Sequence, residues 1–198
     1  MKRVRSQRIG ILGGTFNPIH IGHLLIAQDA MEQAQLDRVV FIPDAHPPHK
    51  SVAGLVSSRR RLHMVKLAIR GDHRFVVDDI EIRRGGKSYA VDTVTELKHR
   101  WPHAELFFII GTDSLQELHL WRDIERLAAQ CTFLVLARPG CAWNRPRLRR
   151  SIHWQLVRGH PYDIASRDIR ARIARRQSIR YLVPDAVLNY IERKKLYR

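Results

Sequence analysis

Short apolar runs alternate with amphipathic stretches along the first two thirds of the chain. The apolar runs are typical of buried strands and lie at 8–13, 39–42, 75–78, 106–110 and 132–137. Stretches with helical spacing of apolar residues follow them, at 20–35, 57–70, 88–100 and 114–130. Strands separated by helices of this length predict right-handed βαβ crossovers. The predicted fold class is therefore α/β, a doubly wound, mostly parallel sheet covered by helices on both faces.

From residue 138 onward the pattern is less regular, because Pro139, Gly140 and Pro146 interrupt it up to about residue 161. Two short helices are predicted beyond this stretch, at 168–175 and 184–195. Pro184 suits the first position of the second one, which needs no backbone N–H donor. With 198 residues, no internal repeat and no long linker, the sequence predicts a single domain over 1–198, with a basic helical C-terminal part at about 162–198.

The composition narrows the class of protein. Hydrophobic residues make up 44% and charged residues 27%, which argues against a disordered or fibrous chain. No apolar run approaches the roughly 20 residues that span a bilayer, and the basic residues 1–8 precede a glycine-rich segment rather than a signal core. Cys131 and Cys141 form neither a disulfide framework nor a zinc-ligand pattern. We therefore expect a cytoplasmic protein with no membrane partner and no protein-bound metal.

The net charge of +16 is unevenly distributed. Residues 138–180 contain twelve arginines, no lysine and only two acidic residues, Asp163 and Asp168. A bias of this size predicts attraction to anions, whether these are nucleotides, nucleic acid or an acidic membrane.

The candidate chemistry is concentrated in the turn between the first strand and the first helix, which reads GGTFNPIHIGH over 13–23. In an open parallel sheet, ligands bind at the carboxyl ends of the strands, where this turn should lie. Gly13 and Gly14 let backbone amides approach a phosphate, and the next helix directs its free N–H groups to the same place. His20 and His23 are three residues apart, so both can face one ligand. The two better-known phosphate-loop patterns, G-x-x-x-x-G-K-[ST] and G-x-G-x-x-G, are absent from the sequence.

Several segments together carry a family resemblance. The run from His20 to His23 resembles the H-x-G-H signature of the nucleotidylyltransferase superfamily, and 13–23 as a whole resembles the bacterial nicotinate-mononucleotide adenylyltransferases. The further matching segments, in order, are PPHK at 47–50, GGKSYAVDT at 85–93, FIIGTD at 108–113 with Trp121 downstream, RPG at 138–140, IASRDIR at 164–170 and RYLVP at 180–184. The resemblance spans nearly the whole chain. It implies a Rossmann-like nucleotidylyltransferase fold with a small helical C-terminal part. It also implies transfer of the adenylyl group of ATP to nicotinate mononucleotide, giving nicotinate adenine dinucleotide and pyrophosphate, in NAD biosynthesis.

The resemblance also implies roles for individual residues. The catalytic candidates are His20 and His23, as donors to ATP phosphates, and Arg170, as a contact of the β- and γ-phosphates. The expected ATP-binding residues are Gly13, Gly14, Thr15, Phe16, His20, His23, Gly111, Asp113, Ser166 and Arg170. The expected residues for nicotinate mononucleotide are Thr15, His49, Lys50, Tyr89, Asp92, Thr93 and Trp121, the last as a ring-stacking residue. Mg²⁺ would arrive with ATP and bridge phosphate oxygens largely through water.

The chain departs from the family pattern at three places. Asn17 stands where many members have Asp, Ala90 replaces a usual Thr, and 164–170 keeps only one of the usual hydroxyl residues, Ser166.

Several alternatives stay open at this stage. The acceptor could be another phosphate compound, such as nicotinamide mononucleotide, phosphopantetheine or a sugar or alcohol phosphate. Trp121 could be a core residue, Asp92 and Thr93 solvated helix positions, and His46, His49 and Lys50 an ordinary polar loop. The basic stretch could bind nucleic acid, although no nucleic-acid-binding motif accompanies it, so we expect a solvated face that steers anionic substrates. A homo-oligomer is compatible with the sequence.

Overall fold

The computed structural model describes residues 5–46, 54–136, 152–160 and 163–198. These residues form one six-stranded parallel sheet. Its strands are β1 (Arg8–Gly14), β2 (Arg38–Pro43), β3 (Phe75–Val77), β4 (Glu105–Gly111), β5 (Thr132–Leu136) and β6 (Trp154–Val157). Their spatial order is β3-β2-β1-β4-β5-β6, so the order reverses between β1 and β4. The predicted doubly wound α/β fold is confirmed.

Helices connect and cover the strands. In chain order they are α1 (Ile21–Gln33), α2 (Ser58–Ala68), α3 (Ile80–Arg84), α4 (Ala90–Arg100), α5 (Thr112–Gln116), α6 (Ile124–Ala128), α7 (Ser166–Ala174) and α8 (Asp185–Arg193), with a 3₁₀ turn at Leu118–Leu120. Among the described residues, no helix is long and apolar enough to cross a membrane.

Two hydrophobic cores lie on opposite faces of the sheet, because successive side chains of a strand point to opposite sides. In β4, Phe107 and Ile109 enter the core that α1, α2, α7 and α8 cover, while Leu106, Phe108 and Ile110 enter the other. That second core is closed by α3, α4, α5 and α6. The apolar run of β4 therefore reflects burial on both faces, as expected for a central parallel strand.

The structure corrects the predicted elements at three places. The helix expected over 114–130 is divided into α5, the 3₁₀ turn and α6. Asp123, directly before α6, adopts a left-handed backbone conformation with φ 49°, which interrupts a continuous helix there. The edge strand β6 was not predicted. It lies within the irregular stretch, and its four residues include only one that is fully buried, Val157. The short helix α3 was also missed.

Candidate active site

The predicted phosphate-binding turn lies at the carboxyl edge of the sheet. It follows β1, which ends at Gly14 beside β2 on one side and β4 on the other. The Asp44 amide, directly after β2, donates to the Gly14 carbonyl at 3.1 Å. Because the strand order reverses between β1 and β4, the turn borders the crevice where open α/β sheets bind ligands. Gly111, another predicted site residue, ends the neighbouring strand β4.

His20 and His23 are brought together at the start of α1. Their ring centroids are 3.7 Å apart, and the His20 side chain is buried. His20 is the N-cap residue, and its backbone N–H donates to Nδ1 of His23 at 3.2 Å. Because Nδ1 accepts this bond, the proton of the neutral His23 ring lies on Nε2. His23 therefore presents an N–H donor on the side of the ring away from its own backbone.

The glycine between the two histidines has a steric reason. A Cβ atom at Gly22 would lie 3.1 Å from Nδ1 of His20, so a larger residue would displace that ring. Phe16 supports the pair from the other side, since its ring meets that of His23 edge-on at 5.0 Å. Phe16 itself is buried and has φ 47°, an uncommon conformation for a bulky residue that the tight turn imposes.

Arg61 on α2 holds the loops around this edge, a function that the sequence did not predict. Its guanidinium is fully buried and forms an ion pair with Asp44 at 2.9 Å. It also donates to the carbonyls of Thr15 (2.6 Å), Asp44 (2.8 Å), Ala45 (3.1 Å) and Val56 (3.1 Å). The Thr15 hydroxyl donates in turn to Asp44 at 2.8 Å. One side chain therefore links the turns after β1 and β2 to the segment before α2.

The two predicted residues of α7 contact the turn. Ser166 donates its hydroxyl to the Pro18 carbonyl at 2.8 Å, and Nη1 of Arg170 donates to the Asn17 carbonyl at 2.9 Å. The Ile21 amide, one of the unpaired N–H groups expected at the start of α1, donates to the Leu182 carbonyl at 2.9 Å. The region after β6 is thus part of the candidate site.

The aromatic candidates Tyr89 and Trp121 lie against the second core. Trp121 packs edge-on against Phe108 with centroids 5.8 Å apart, and it is only partly buried. The guanidinium of Arg122 lies 4.7 Å from the centre of the Tyr89 ring. Tyr89 therefore contacts Arg122, the residue that follows Trp121, and both aromatic side chains are partly exposed.

Thr93 is buried, so a solvated position for it is excluded. Its hydroxyl donates to Glu81 at 2.6 Å and accepts from Arg84 at 2.9 Å. Burial raises the pKa of Glu81 above its usual value, although hydrogen bonds from Thr93 and Ser88 act in the opposite direction. Thr93 thus stabilises the start of α4 rather than facing open solvent.

The remaining predicted residues are less enclosed. Asp92 is half-buried in the first turn of α4, and Asp113 is exposed in the first turn of α5. His49 and Lys50 lie outside the described residues. Across the described ranges, no group of three His, Cys, Asp or Glu side chains is placed to hold a metal ion.

Comparisons with known proteins identify relatives of this chain. The model of the cytidylyltransferase-like family matches residues 11–172. A "Probable nicotinate-nucleotide adenylyltransferase" of Citrifermentans bemidjiense is 43% identical over 212 residues, covering 96% of this chain and 98% of that protein. One of Shouchella clausii is 46% identical over 191 residues, covering 96% and 97%. The solved structure of Plasmodium falciparum nicotinic acid mononucleotide adenylyltransferase complexed with NaAD has a TM-score of 0.78 at 17% identity, covering 96% of this chain and 97% of that one. The last similarity concerns the fold.

Proposed function

The chain belongs to the cytidylyltransferase-like family and is related over nearly its full length to nicotinate-nucleotide adenylyltransferases, and from this premise we propose its reaction. It transfers the adenylyl group of ATP to nicotinate mononucleotide and releases pyrophosphate. The phosphate oxygen of the mononucleotide attacks the α-phosphorus of ATP, and the bond from that phosphorus to the bridging oxygen of pyrophosphate breaks.

The nucleophile needs no protein base. A phosphate monoester is mostly dianionic near neutral pH, because its second pKa is about 6. The protein has instead to align two polyanions, reduce their repulsion and stabilise the charge that develops on the transferred and leaving groups. Donors fixed before the reaction do this at no cost of reorganisation.

The observation that carries the proposal is the pair of imidazoles at the start of α1, with His23 fixed as an Nε2–H donor. His20 and His23 donate to the α- and β-phosphates of ATP. The backbone amides of 13–16 and the Thr15 hydroxyl bind the phosphate oxygens at the end of β1. Arg170 and Ser166 serve the triphosphate, and Tyr89 and Trp121 the pyridine ring, which Trp121 covers with its open surface.

A divalent cation, Mg²⁺, accompanies ATP in this proposal. It supplies charge neutralisation to the triphosphate when bound. The cation would be held largely by phosphate oxygens and water, because Mg²⁺ keeps several waters and is commonly bound through substrate phosphates. In this proposal the exposed carboxylate of Asp113, two residues after Gly111, contacts adenosine hydroxyls.

We place this activity in one domain spanning 1–198, in a cytoplasmic protein. Three hydrogen bonds support the single domain, because they join the C-terminal part to the first turn. Ser166 and Arg170 donate to the carbonyls of Pro18 and Asn17, and the Leu182 carbonyl accepts from the Ile21 amide. A single cooperative unfolding transition, coincident by circular dichroism and tryptophan fluorescence, is the expected result.

The test is pyrophosphate release by the purified protein with ATP, Mg²⁺ and either nicotinate or nicotinamide mononucleotide. We expect a higher kcat/KM with the nicotinate compound and no release when either substrate is omitted. A preference for the nicotinamide compound would contradict the proposed acceptor, and release with neither would contradict the reaction.

A further inference from the structure

Asn17, next to the two histidines, connects its own turn to three other segments. Its side-chain Nδ2 donates to the Gly54 carbonyl at 3.0 Å, and its Oδ1 accepts from the Val56 amide at 3.3 Å. The same Oδ1 accepts from the hydroxyl of Tyr197 at 2.8 Å, while the Asn17 carbonyl accepts from Arg170. An amide side chain suits this position because it donates and accepts at once.

Tyr197, beyond α8, reaches Asn17 at a conformational cost. Its φ is 64°, in the left-handed region that bulky residues rarely adopt. Such a conformation costs free energy that other contacts have to offset. The Tyr197 ring packs against the core that α8 also contacts, and its hydroxyl donates to Asn17.

The Tyr197 hydroxyl stays protonated and therefore remains a hydrogen-bond donor. Burial raises its pKa above the usual value, and the nearby Arg170 and Arg61 offset this only in part. The phenol therefore keeps its proton throughout the neutral range. It also lies within electrostatic reach of the two arginines that hold the turn.

We propose that Tyr197 is a positioning residue for ATP, acting through Asn17. By fixing the Asn17 amide, it orients the carbonyl that Arg170 contacts and holds Gly54 and Val56 against the same turn. The inference rests on the proposed function, since it assigns to Arg170 a contact with the triphosphate.

Arg170 is the residue through which the effect should appear. A Cβ at Gly54 would lie 3.9 Å from Nε of Arg170, so the guanidinium packs beside the segment that Asn17 holds. If the Tyr197 hydroxyl is removed, Asn17 loses its shortest side-chain hydrogen bond. The positions of Gly54 and of the Arg170 guanidinium are then less restrained. The nicotinate mononucleotide end of the site, near Trp121, has no hydrogen bond to this group in the described ranges.

The experiment compares Tyr197→Phe with Tyr181→Phe. Tyr181 is the matched control because it also has a positive φ of 68° but is 83% exposed. In Tyr197→Phe we expect the KM for ATP to rise about two- to fivefold, the upper limit being the full net value of one neutral hydrogen bond. The KM for nicotinate mononucleotide should stay within twofold. Hydrogen exchange of the Val56 amide should accelerate by a similar factor. Tyr181→Phe should change none of these.

The outcomes separate the alternatives. A fall in kcat alone, with both KM values unchanged, would assign Tyr197 a purely structural role and overturn the proposal. Unchanged KM for ATP with unchanged Val56 exchange would overturn it as well. If Tyr197→Phe does not fold, Asn17→Ala removes the acceptor and should raise the KM for ATP as much or more. If the unmodified protein released no pyrophosphate, the proposed function would fail, while Val56 exchange would still report whether Tyr197 orders the turn.

Discussion

Replacing Arg61 by alanine should remove a large share of the protein's stability and release the turn that carries Thr15. The guanidinium is fully buried, pairs with Asp44 and donates to four carbonyls. Breaking a buried ion pair by removing one partner costs about 3–5 kcal/mol, because the other charge is left without compensation. A domain is stable by only about 5–15 kcal/mol in total, so this loss is roughly a fifth of the stability at the least.

Urea unfolding, followed by circular dichroism, measures this loss as a lower midpoint with an unchanged slope. Arg60→Ala is the matched control, since Arg60 is the preceding residue of α2 and is exposed. Its unfolding free energy should change by no more than about 0.5 kcal/mol. Arg61→Lys keeps the charge but lacks the planar guanidinium that forms several hydrogen bonds at once. Its unfolding free energy should therefore lie between those of Arg61→Ala and the unmodified protein.

Pyrophosphate release at a temperature where all variants are folded measures the effect on the site. Arg61→Ala should be less active than the unmodified protein even though it is folded, because the Thr15 carbonyl and Asp44 both lose their donor. If the unfolding free energy of Arg61→Ala lies within about 1 kcal/mol of that of the unmodified protein, Arg61 does not hold these loops.

The remaining predictions concern catalysis, thiol reactivity and pH. His23→Ala should lower turnover by about 100-fold or more, as loss of a fixed donor to developing charge does. Its unfolding free energy should fall by only about 1 kcal/mol, the usual cost of a lost helix N-terminal cap, whereas the exposed His119→Ala should leave turnover and stability unchanged. In a Cys141→Ser background, Cys131 should not react with a thiol reagent at pH 8 until denaturant is added, because burial raises its pKa to about 12; rapid labelling of the folded protein would contradict this. The pKa of Glu81 is raised by burial, so its contribution to stability is complete below the usual Glu pKa of about 4.3 and is lost as pH rises through the folded value. Glu81→Gln should therefore gain stability relative to the unmodified protein as pH rises from about 4, and a difference independent of pH would refute this.

The sheet was predictable because its central strands are buried on both faces and therefore read as apolar runs, as at 106–110. The edge strand β6 was not, since Leu156 is 40% exposed and the strand shows no clear alternation. The break at Asp123 was also hidden, because neither glycine nor proline marks it and only the tertiary structure imposes the left-handed conformation.

The site was predictable only where residues adjacent in sequence act together. Gly13 to His23 include the end of β1, the turn and the start of α1, so their spacing alone predicted a common ligand. Arg61 was missed because it ends a run of three arginines that is typical of a solvated face. A signal was present, since Arg61 is three and four residues before the buried Met64 and Val65 and so shares their side of α2. Tyr197 gave no comparable signal, because its partner is far away along the chain.

The hydrogen bond between Tyr197 and Asn17 joins residues 180 positions apart, and those from Arg170 and Ser166 to the same turn span 153 and 148. Contacts of such separation have to close long loops before they are rewarded, so they form after the local helices. Catalytic competence should therefore be among the last properties that the refolding chain acquires. Helical circular dichroism would return first, and pyrophosphate release would follow, so that enzyme activity reports completed folding rather than secondary structure.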